Sequence, residues 1–283
     1  MAKIGLIGKG FVGEAFYEGM KNHHIINVWD VIPEKRTVET YQEFVSGCNL
    51  FFVCVPTPMN QQTGQSDTSI VEAVVKNLSE QLHYLSATVV IKSTVPPGTT
   101  ERLANTYANL QFIFNPEFLT EKNYIDDFIN QDRIVLGNTS LTFDRNLTTV
   151  IDTYLEAFPG VPVVITDSTT AEMVKYLANI YLATKVTFAN EMKEICDGVG
   201  TSYDEVVKIA KLDKRLGDSH WQVPGPDGKR GFGGTCFPKD INALRAVCRD
   251  LYIDTPFLNA VWRKNLDVRP ERDWEESKGR AVS

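Results

Sequence analysis

The sequence predicts an α/β fold: a doubly wound parallel sheet, followed by an all-helical domain with one long helix. Three observations predict it. Short apolar runs alternate with helical patterns from Lys3 to about residue 167, the rhythm of repeated strand-helix-strand units. A glycine-rich turn, Gly8–Gly13, stands directly after the first run. From Thr169 to Cys196 there is neither proline nor glycine. A helix of that span is roughly 42 Å long.

Lys3–Ile7 is the first predicted strand. Gly8-Lys9-Gly10-Phe11-Val12-Gly13 follows, then a helical pattern through Met20. A second strand, Ile25–Asp30, ends in an acid 22 positions after Gly8. This is the G-x-G-x-x-G arrangement of a Rossmann-type dinucleotide site. Gly8 permits the tight turn, Gly10 lets a pyrophosphate approach, and Gly13 lets helix and strand pack. Phe11 and Val12 open the helix whose N-terminus faces the phosphates. Asp30 is expected to bind the adenosine ribose and to favour NAD over NADP. Lys35 and Arg36 weaken that preference.

The alternation continues. Leu50–Val55 reads as a strand buried on both faces, ending at Pro56-Thr57-Pro58. Residues 59–68 read as a polar loop. A helix over Ser69–Leu82 has Asp67 or Thr68 as its cap. Thr88–Ser93 is a strand that stops at Thr94-Val95-Pro96-Pro97-Gly98, and Thr99–Asn109 is a helix. Gln111–Phe114 is a strand ending in Asn115-Pro116-Glu117. Arg133–Gly137 and Val161–Ile165 are further strands, with a helix over Asn146–Ala157 between them. Ligands gather at the carboxyl ends of such strands, which singles out Pro56, Thr57, Thr94 and Glu117.

In the long helix, Thr169 and Glu172 fit a capping box. Met173, Leu177, Ile180 and Ala183 recur at helical spacing and read as packing. Lys175 and Asn179 share a face; periodicity alone makes that a solvated face. Beyond it come a helix over Tyr203–Ala210, a loop over Asp213–Arg230, and helices over Pro238–Asp250 and Pro256–Val268. The expected divisions are 1–167, 168–269 and a charged, weakly ordered tail, 270–283.

Gly231-Phe232-Gly233-Gly234-Thr235-Cys236-Phe237-Pro238-Lys239-Asp240 is the most informative stretch. It places Cys236 behind a glycine-rich turn and just ahead of Pro238, which can open a helix. A thiol at a helix N-terminus is held at its positive end, which favours the nucleophilic thiolate. Gly233 and Gly234, without side chains, let a substrate come close. Lys239 and Asp240 add a cation and a carboxylate. Read alone, Cys236 is either a nucleophile or a buried cysteine beside a helix cap.

Composition sets bounds. The chain has 283 residues, 43% hydrophobic and 23% charged, as in globular proteins. Its 29 basic and 36 acidic residues give a net charge of −7, which argues against nucleic acid as the main partner. Neither a secretory signal nor a transmembrane run is read, so a cytoplasmic protein without membrane partners is expected. The five cysteines (48, 54, 196, 236, 248) and four histidines (His23, His24, His83, His220) show no metal-ligand spacing. His23-His24 reads as a solvated loop.

Taken together, the motifs resemble the nucleotide-sugar dehydrogenases, the family of UDP-glucose 6-dehydrogenase and GDP-mannose 6-dehydrogenase. Six elements match in order: Gly8–Gly13, Val55-Pro56-Thr57-Pro58, Ser93-Thr94-Val95-Pro96, Asn115-Pro116-Glu117-Phe118-Leu119, Lys175-Tyr176-Leu177-Ala178-Asn179, and the cysteine stretch. The resemblance implies a twofold NAD-dependent oxidation of a sugar hydroxymethyl to a carboxylate, with UDP-glucose the favoured substrate. Cys236 is implied as the covalent nucleophile, with Lys175 and Asn179 as oxyanion donors. Asp240 is implied in proton transfer, and Glu117 and Thr94 in holding water. It also implies Glu121 near the nicotinamide, Lys35 near the adenosine, and a homodimer built on residues 169–197. Arg215 would reach the partner's substrate. Members usually continue into a third, nucleotide-binding domain, and this sequence ends soon after its helical domain. The Trp221–Arg230 loop also departs from the family pattern, with Lys229 and Arg230 as either phosphate contacts or surface charge. Two other readings stay open: a single-step β-hydroxyacid-type dehydrogenase, and a non-catalytic NAD-binding subunit.

Overall fold

The computed structural model describes residues 1–82 and 87–283; His83 lies outside them. Seven strands form one sheet: β1 (Lys3–Ile7), β2 (Ile25–Trp29), β3 (Leu50–Val53), β4 (Thr88–Ile91), β5 (Gln111–Phe114), β6 (Ile134–Asn138) and β7 (Val163–Asp167). Their spatial order is β2-β1-β3-β4-β5-β6-β7. The chain crosses to one side of β1 to make β2 and to the other to make β3. That switch point opens the crevice in which doubly wound sheets bind ligands. The sheet is mostly parallel. β5 and β6 run antiparallel, with Ile113 opposite Asn138 and Phe114 opposite Gly137.

The helices are α1 (Phe11–Met20), α2 (Tyr41–Ser46), α3 (Ser69–Gln81), α4 (Thr99–Thr106), α5 (Tyr124–Ile129), α6 (Asp144–Ala157), α7 (Ser168–Val199), α8 (Tyr203–Ala210), α9 (Phe237–Asp250) and α10 (Pro256–Val268). α2 and α5 have six residues each, too short for a periodic signal in the sequence. Contacts divide the chain into two compact units. One comprises 1–57 and 68–175, the other 58–67 and 176–283, so the division falls within α7.

The first unit has a core on each face of its sheet. Alternate strand residues feed opposite faces. Phe51, Val53, Val89, Ile91, Phe112 and Phe114 pack with α2, α3 and α4 side chains. Leu50, Phe52, Val90 and Ile113 pack with Phe16 of α1, Phe128 of α5 and Tyr154 of α6. His24 is buried here, not solvated. Its Nδ1 accepts from Ala2 N–H at 3.2 Å and its Nε2 lies 2.8 Å from the Thr153 carbonyl, so Nε2 carries the proton. Two backbone groups satisfy the ring, which makes its burial tolerable.

The start of α7 also differs from expectation. Asp167, not Thr169, takes the capping role, accepting from Thr170 N–H at 2.8 Å. Glu172 turns away from its own helix and caps α4. It accepts from Gly98 N–H at 2.5 Å, Thr100 N–H at 2.9 Å and the Thr100 hydroxyl at 2.6 Å.

In the second unit, Ile180 and Ala183 of α7 are buried with Phe232, Ile241 and Val261. Leu177, read as packing, is 69% exposed, and Met173 of the first unit is 38% exposed. The segment after Pro270 is not a loose tail. Trp274, Ala281 and Val282 are buried with Met59, and Ser283 N–H donates to the Met59 carbonyl at 2.9 Å. Its charge count hid three apolar anchors. No helix among the described residues is long and apolar enough to cross a membrane.

Candidate functional site

The first unit carries the glycine turn expected to cradle a dinucleotide. Gly8 turns at φ +86°, a left-handed conformation open to glycine. A β-carbon at Gly10 would meet open space, whereas one at Gly13 would collide with the Gly8 carbonyl oxygen. The turn is thus empty where a pyrophosphate would lie and filled where α1 packs. No side chain caps α1 at Gly10, which suits a helix N-terminus that receives an anion.

Asp30 is fixed at the end of β2. Its Oδ2 accepts from Lys9 N–H at 2.6 Å and its Oδ1 from Ile32 N–H at 2.9 Å. Lys35 reaches back to the glycine turn, donating to the Lys9 carbonyl at 2.8 Å. Arg36 stacks over Trp29 at 4.1 Å and donates to the Asp30 carbonyl. An adenosine ribose fits these groups, with a carboxylate at the strand end and Arg36 occupied elsewhere.

At the carboxyl ends of β3 and β4, the Thr57 hydroxyl donates to the Thr94 carbonyl at 2.7 Å, and Ser93 donates to Val55 at 2.7 Å. Thr57 and Thr94 are buried, and Pro56 is exposed. Glu117 accepts an ion pair from Lys175 at 2.7 Å, with both side chains nearly inaccessible. Glu121 lies on an exposed turn. Phe11 packs its ring 5.0 Å from that of Tyr124.

A buried lysine that sequence reasoning missed supports this edge. Lys92 Nζ donates to Asn115 Oδ1 at 2.6 Å, and Tyr154 donates to the same oxygen at 2.5 Å. Asn115 in turn donates to the Val135 carbonyl at 2.7 Å. Glu117, two residues on, therefore hangs from a fixed anchor. Burial pushes the Lys92 ammonium down to about 8, with the Glu117 carboxylate opposing the fall. The signal was present: a lysine ends an apolar strand where a hydrophobe was due.

The second unit carries the thiol. Cys236 is the N-cap of α9, with Pro238 in the first turn. It is half-buried, and its sulfur lies 3.8 Å from the Thr235 hydroxyl. Asp240 follows one turn later and is 1% exposed. Its Oδ2 accepts from Asn179 Nδ2 at 2.6 Å, and its Oδ1 pairs with Lys239. A buried carboxylate with both oxygens engaged is a fixed one.

The glycine turn before Cys236 is braced by α10. Asn265 accepts from Phe232 N–H at 2.7 Å and donates to its carbonyl at 2.9 Å. A β-carbon at Gly231 would lie 2.6 Å from Asn265 Oδ1, and one at Gly233 would overlap the Arg269 guanidinium. Packing therefore explains Gly233, while Gly234 turns at φ +70°. Arg269 is buried and pairs with Asp227 at 2.7 Å and Asp273 at 2.6 Å. Asn265 and Arg269 were also missed; their spacing of four, from the last turn of α10 to its C-cap, was the available clue.

The remaining candidates lie at the surface of this unit. Arg215 is exposed and pairs with Asp213 at 2.5 Å. Lys229 faces Glu271 at 3.9 Å, and Arg230 faces Glu194 at 2.9 Å.

Sequence comparison now decides the family. Residues 27–156 match the NAD binding domain of the UDP-glucose/GDP-mannose dehydrogenase family, and residues 169–267 match its central domain. The chain belongs to the UDP-glucose/GDP-mannose dehydrogenase family. A UDP-glucose 6-dehydrogenase of Rickettsia bellii is 38% identical over 231 residues, covering 80% of this chain and 51% of that protein. One of Rickettsia felis is 34% identical, covering 80% and 49%. The chain thus spans about half the length of these curated relatives. A UDP-glucose dehydrogenase structure from the hyperthermophilic archaeon Pyrobaculum islandicum superposes with a TM-score of 0.82 at 28% identity, covering 98% of this chain and 70% of that one. NAD is the cofactor of this family member, and the cradle at Gly8–Gly13 with Asp30 fits it.

Proposed function

We propose that this family member oxidises the 6-hydroxymethyl group of a nucleotide sugar twice, converting UDP-glucose to UDP-glucuronate. Gly8, Gly10, Gly13, Asp30 and Lys35 hold NAD, which when bound accepts one hydride in each oxidation. After the first oxidation, the Cys236 thiolate adds to the aldehyde carbon and the oxygen takes a proton, giving a thiohemiacetal. Loss of hydride from that carbon and of the proton from its hydroxyl gives a thioester, which water hydrolyses to carboxylate and free thiol. Lys175 and Asn179 donate to the oxyanion at each stage. Asp240 takes part in the proton transfers, and Glu117 and Thr94 hold the water. Glu121 lies by the nicotinamide in this reading.

One observation carries the covalent step: the half-buried Cys236 stands at the N-cap position of α9, one turn ahead of the buried Asp240, whose carboxylate is held by Asn179 and Lys239. A structural cysteine has no need of such a neighbour. The test is stoichiometric. Two NADH should appear per UDP-glucose consumed, and Cys236→Ser should release no acid while still binding NAD. One NADH per substrate would instead support a single-step dehydrogenase.

The working form is a homodimer built on α7. Leu177, Tyr181, Phe188 and Ile195 are each at least 48% exposed and repeat at spacings of four and seven, so they share one face. Arg215 would serve the partner's site. The cysteines form no disulfide among the described residues, which supports a reducing, cytoplasmic setting.

A further inference from the structure

The second unit holds a cavity of about 530 Å³, within the size range of small-molecule sites. Three pieces of chain wall it: the loop at Gln61–Gly64, the outer face of α9 with the start of α10, and the turn at Arg272–Glu275. Neither Cys236 nor Asp240 lines it. Asn242, Arg245 and Arg249 do, and they lie roughly half a turn around α9 from Asp240. The cavity is thus a different place from the thiol site.

Its walls are built, not loose. Asn60 Oδ1 accepts from Gln62 and Thr63 N–H at 3.0 Å each, and Gly64 N–H donates to the Asn60 carbonyl at 2.8 Å. Gly64 sits at φ +74°, where a β-carbon would lie 3.4 Å from Asn242. The loop is therefore closed on itself and laid against α9. Opposite, buried Trp274 packs its ring 5.4 Å from that of Trp262.

The chemistry of the wall is cationic. Arg245 is half-buried, and two neutral side chains hold its guanidinium in place. Nε donates to Asn259 Oδ1 at 2.7 Å, and Nη1 to Asn242 Oδ1 at 2.6 Å. No carboxylate pairs with it among the described residues. Arg249, one turn on, donates to the Thr63 carbonyl at 3.1 Å and faces Asp250 at 3.8 Å across solvent. Arg272 and Glu275 answer each other at 3.8 Å. Asp254 also lies on the wall. Burial, and then Arg249, push the Arg245 guanidinium down, as befits a cation without a counter-charge. Asparagine carbonyls aim the fork of Arg245, and Arg249 stands four residues on, on the same helix face.

We propose that this cavity is a second ligand site, which takes the phosphate or diphosphate group of a nucleotide-sized molecule on Arg245 and Arg249. Trp262 forms its apolar wall. The site does not depend on the covalent mechanism, and its test does not use turnover.

The chain has four tryptophans. Replacing Trp29 and Trp221 by Phe leaves Trp262 and Trp274, both on the cavity wall, as reporters. In that background inorganic pyrophosphate should change the emission saturably. Arg245→Gln and Arg249→Gln should each weaken that response at least about tenfold, the loss of one charge-assisted contact. UDP distinguishes the sources: a lower midpoint than pyrophosphate's identifies a nucleotide, and an equal one identifies the diphosphate group alone. Arg249 is exposed, so its variant reports even where Arg245→Gln fails to fold. No emission change up to about 10 mM pyrophosphate, or an unchanged midpoint in both variants, overturns the site.

Discussion

The Lys175 ammonium stands 2.7 Å from the Glu117 carboxylate, with 3% and 8% of the two side chains exposed. The pair ties the segment after β5 to the first turns of α7. Breaking a buried pair from one side strands a charge and costs about 3–5 kcal/mol, whereas an apolar pair of similar volume is often neutral. Lys175→Met should therefore lose stability of that order in urea unfolding. Adding Glu117→Leu should restore most of it. A double variant no more stable than Lys175→Met would show that the two groups are not coupled.

Glu172 links stability to pH. It is fully buried, and burial pushes its carboxyl from 4.5 up to about 7, against the lowering effect of the Thr100 and Gly98 donors. The folded chain therefore keeps a proton that the unfolded chain has released between pH 4.5 and about 7. The stability this confers is full below pH 4.5 and is lost as pH rises through about 7. Its size is on the order of 3 kcal/mol. Glu172→Gln should remove that slope. Equal slopes for parent and variant between pH 4.5 and 8 would exclude Glu172 as its source.

Thiol chemistry should single out Cys236. Burial pushes Cys48 up to about 11, despite its contact with Asn27, and Cys54 up to about 12. Both remain protonated at neutral pH and react slowly. Cys236 is half-buried at a helix N-terminus. Brief iodoacetamide treatment at pH 7.5, read by peptide mass spectrometry, should label Cys236 at least about tenfold faster than Cys48 or Cys54. Equal labelling would remove the case for an activated thiol.

The regular parts of this fold were legible because each strand is short, apolar and followed by a breaker. Gly8 and Asp30 mark the cradle by spacing alone, and Pro238 marks the start of α9. What stayed hidden depends on chain segments far apart in sequence. Glu172 reads as a cap of its own helix, and only the folded chain shows it capping α4 across 72 positions. Trp274 and Val282 sit in a charged stretch, and only their packing with Met59 shows them as anchors. Lys92 and Arg269 are charges in buried places; periodicity ranks such positions as errors, not as supports. Glycine was the most ambiguous letter: Gly10 is open where a ligand would come, while Gly233 makes room for a side chain.

That last difference can be measured. Gly233 abuts the Arg269 guanidinium, where an added methyl has no space. The guanidinium cannot swing aside cheaply, because Asp227 and Asp273 hold it at 2.7 and 2.6 Å. Gly233→Ala should therefore cost about 1–3 kcal/mol, as overpacking does. The same substitution in an Arg269→Met background should cost less, since the flexible thioether can yield. The difference between the two costs is the coupling energy of the contact. If alanine costs the same in both backgrounds, the arginine is not the reason for glycine at this position. Close approach of a substrate to the turn before Cys236 then becomes the explanation to test.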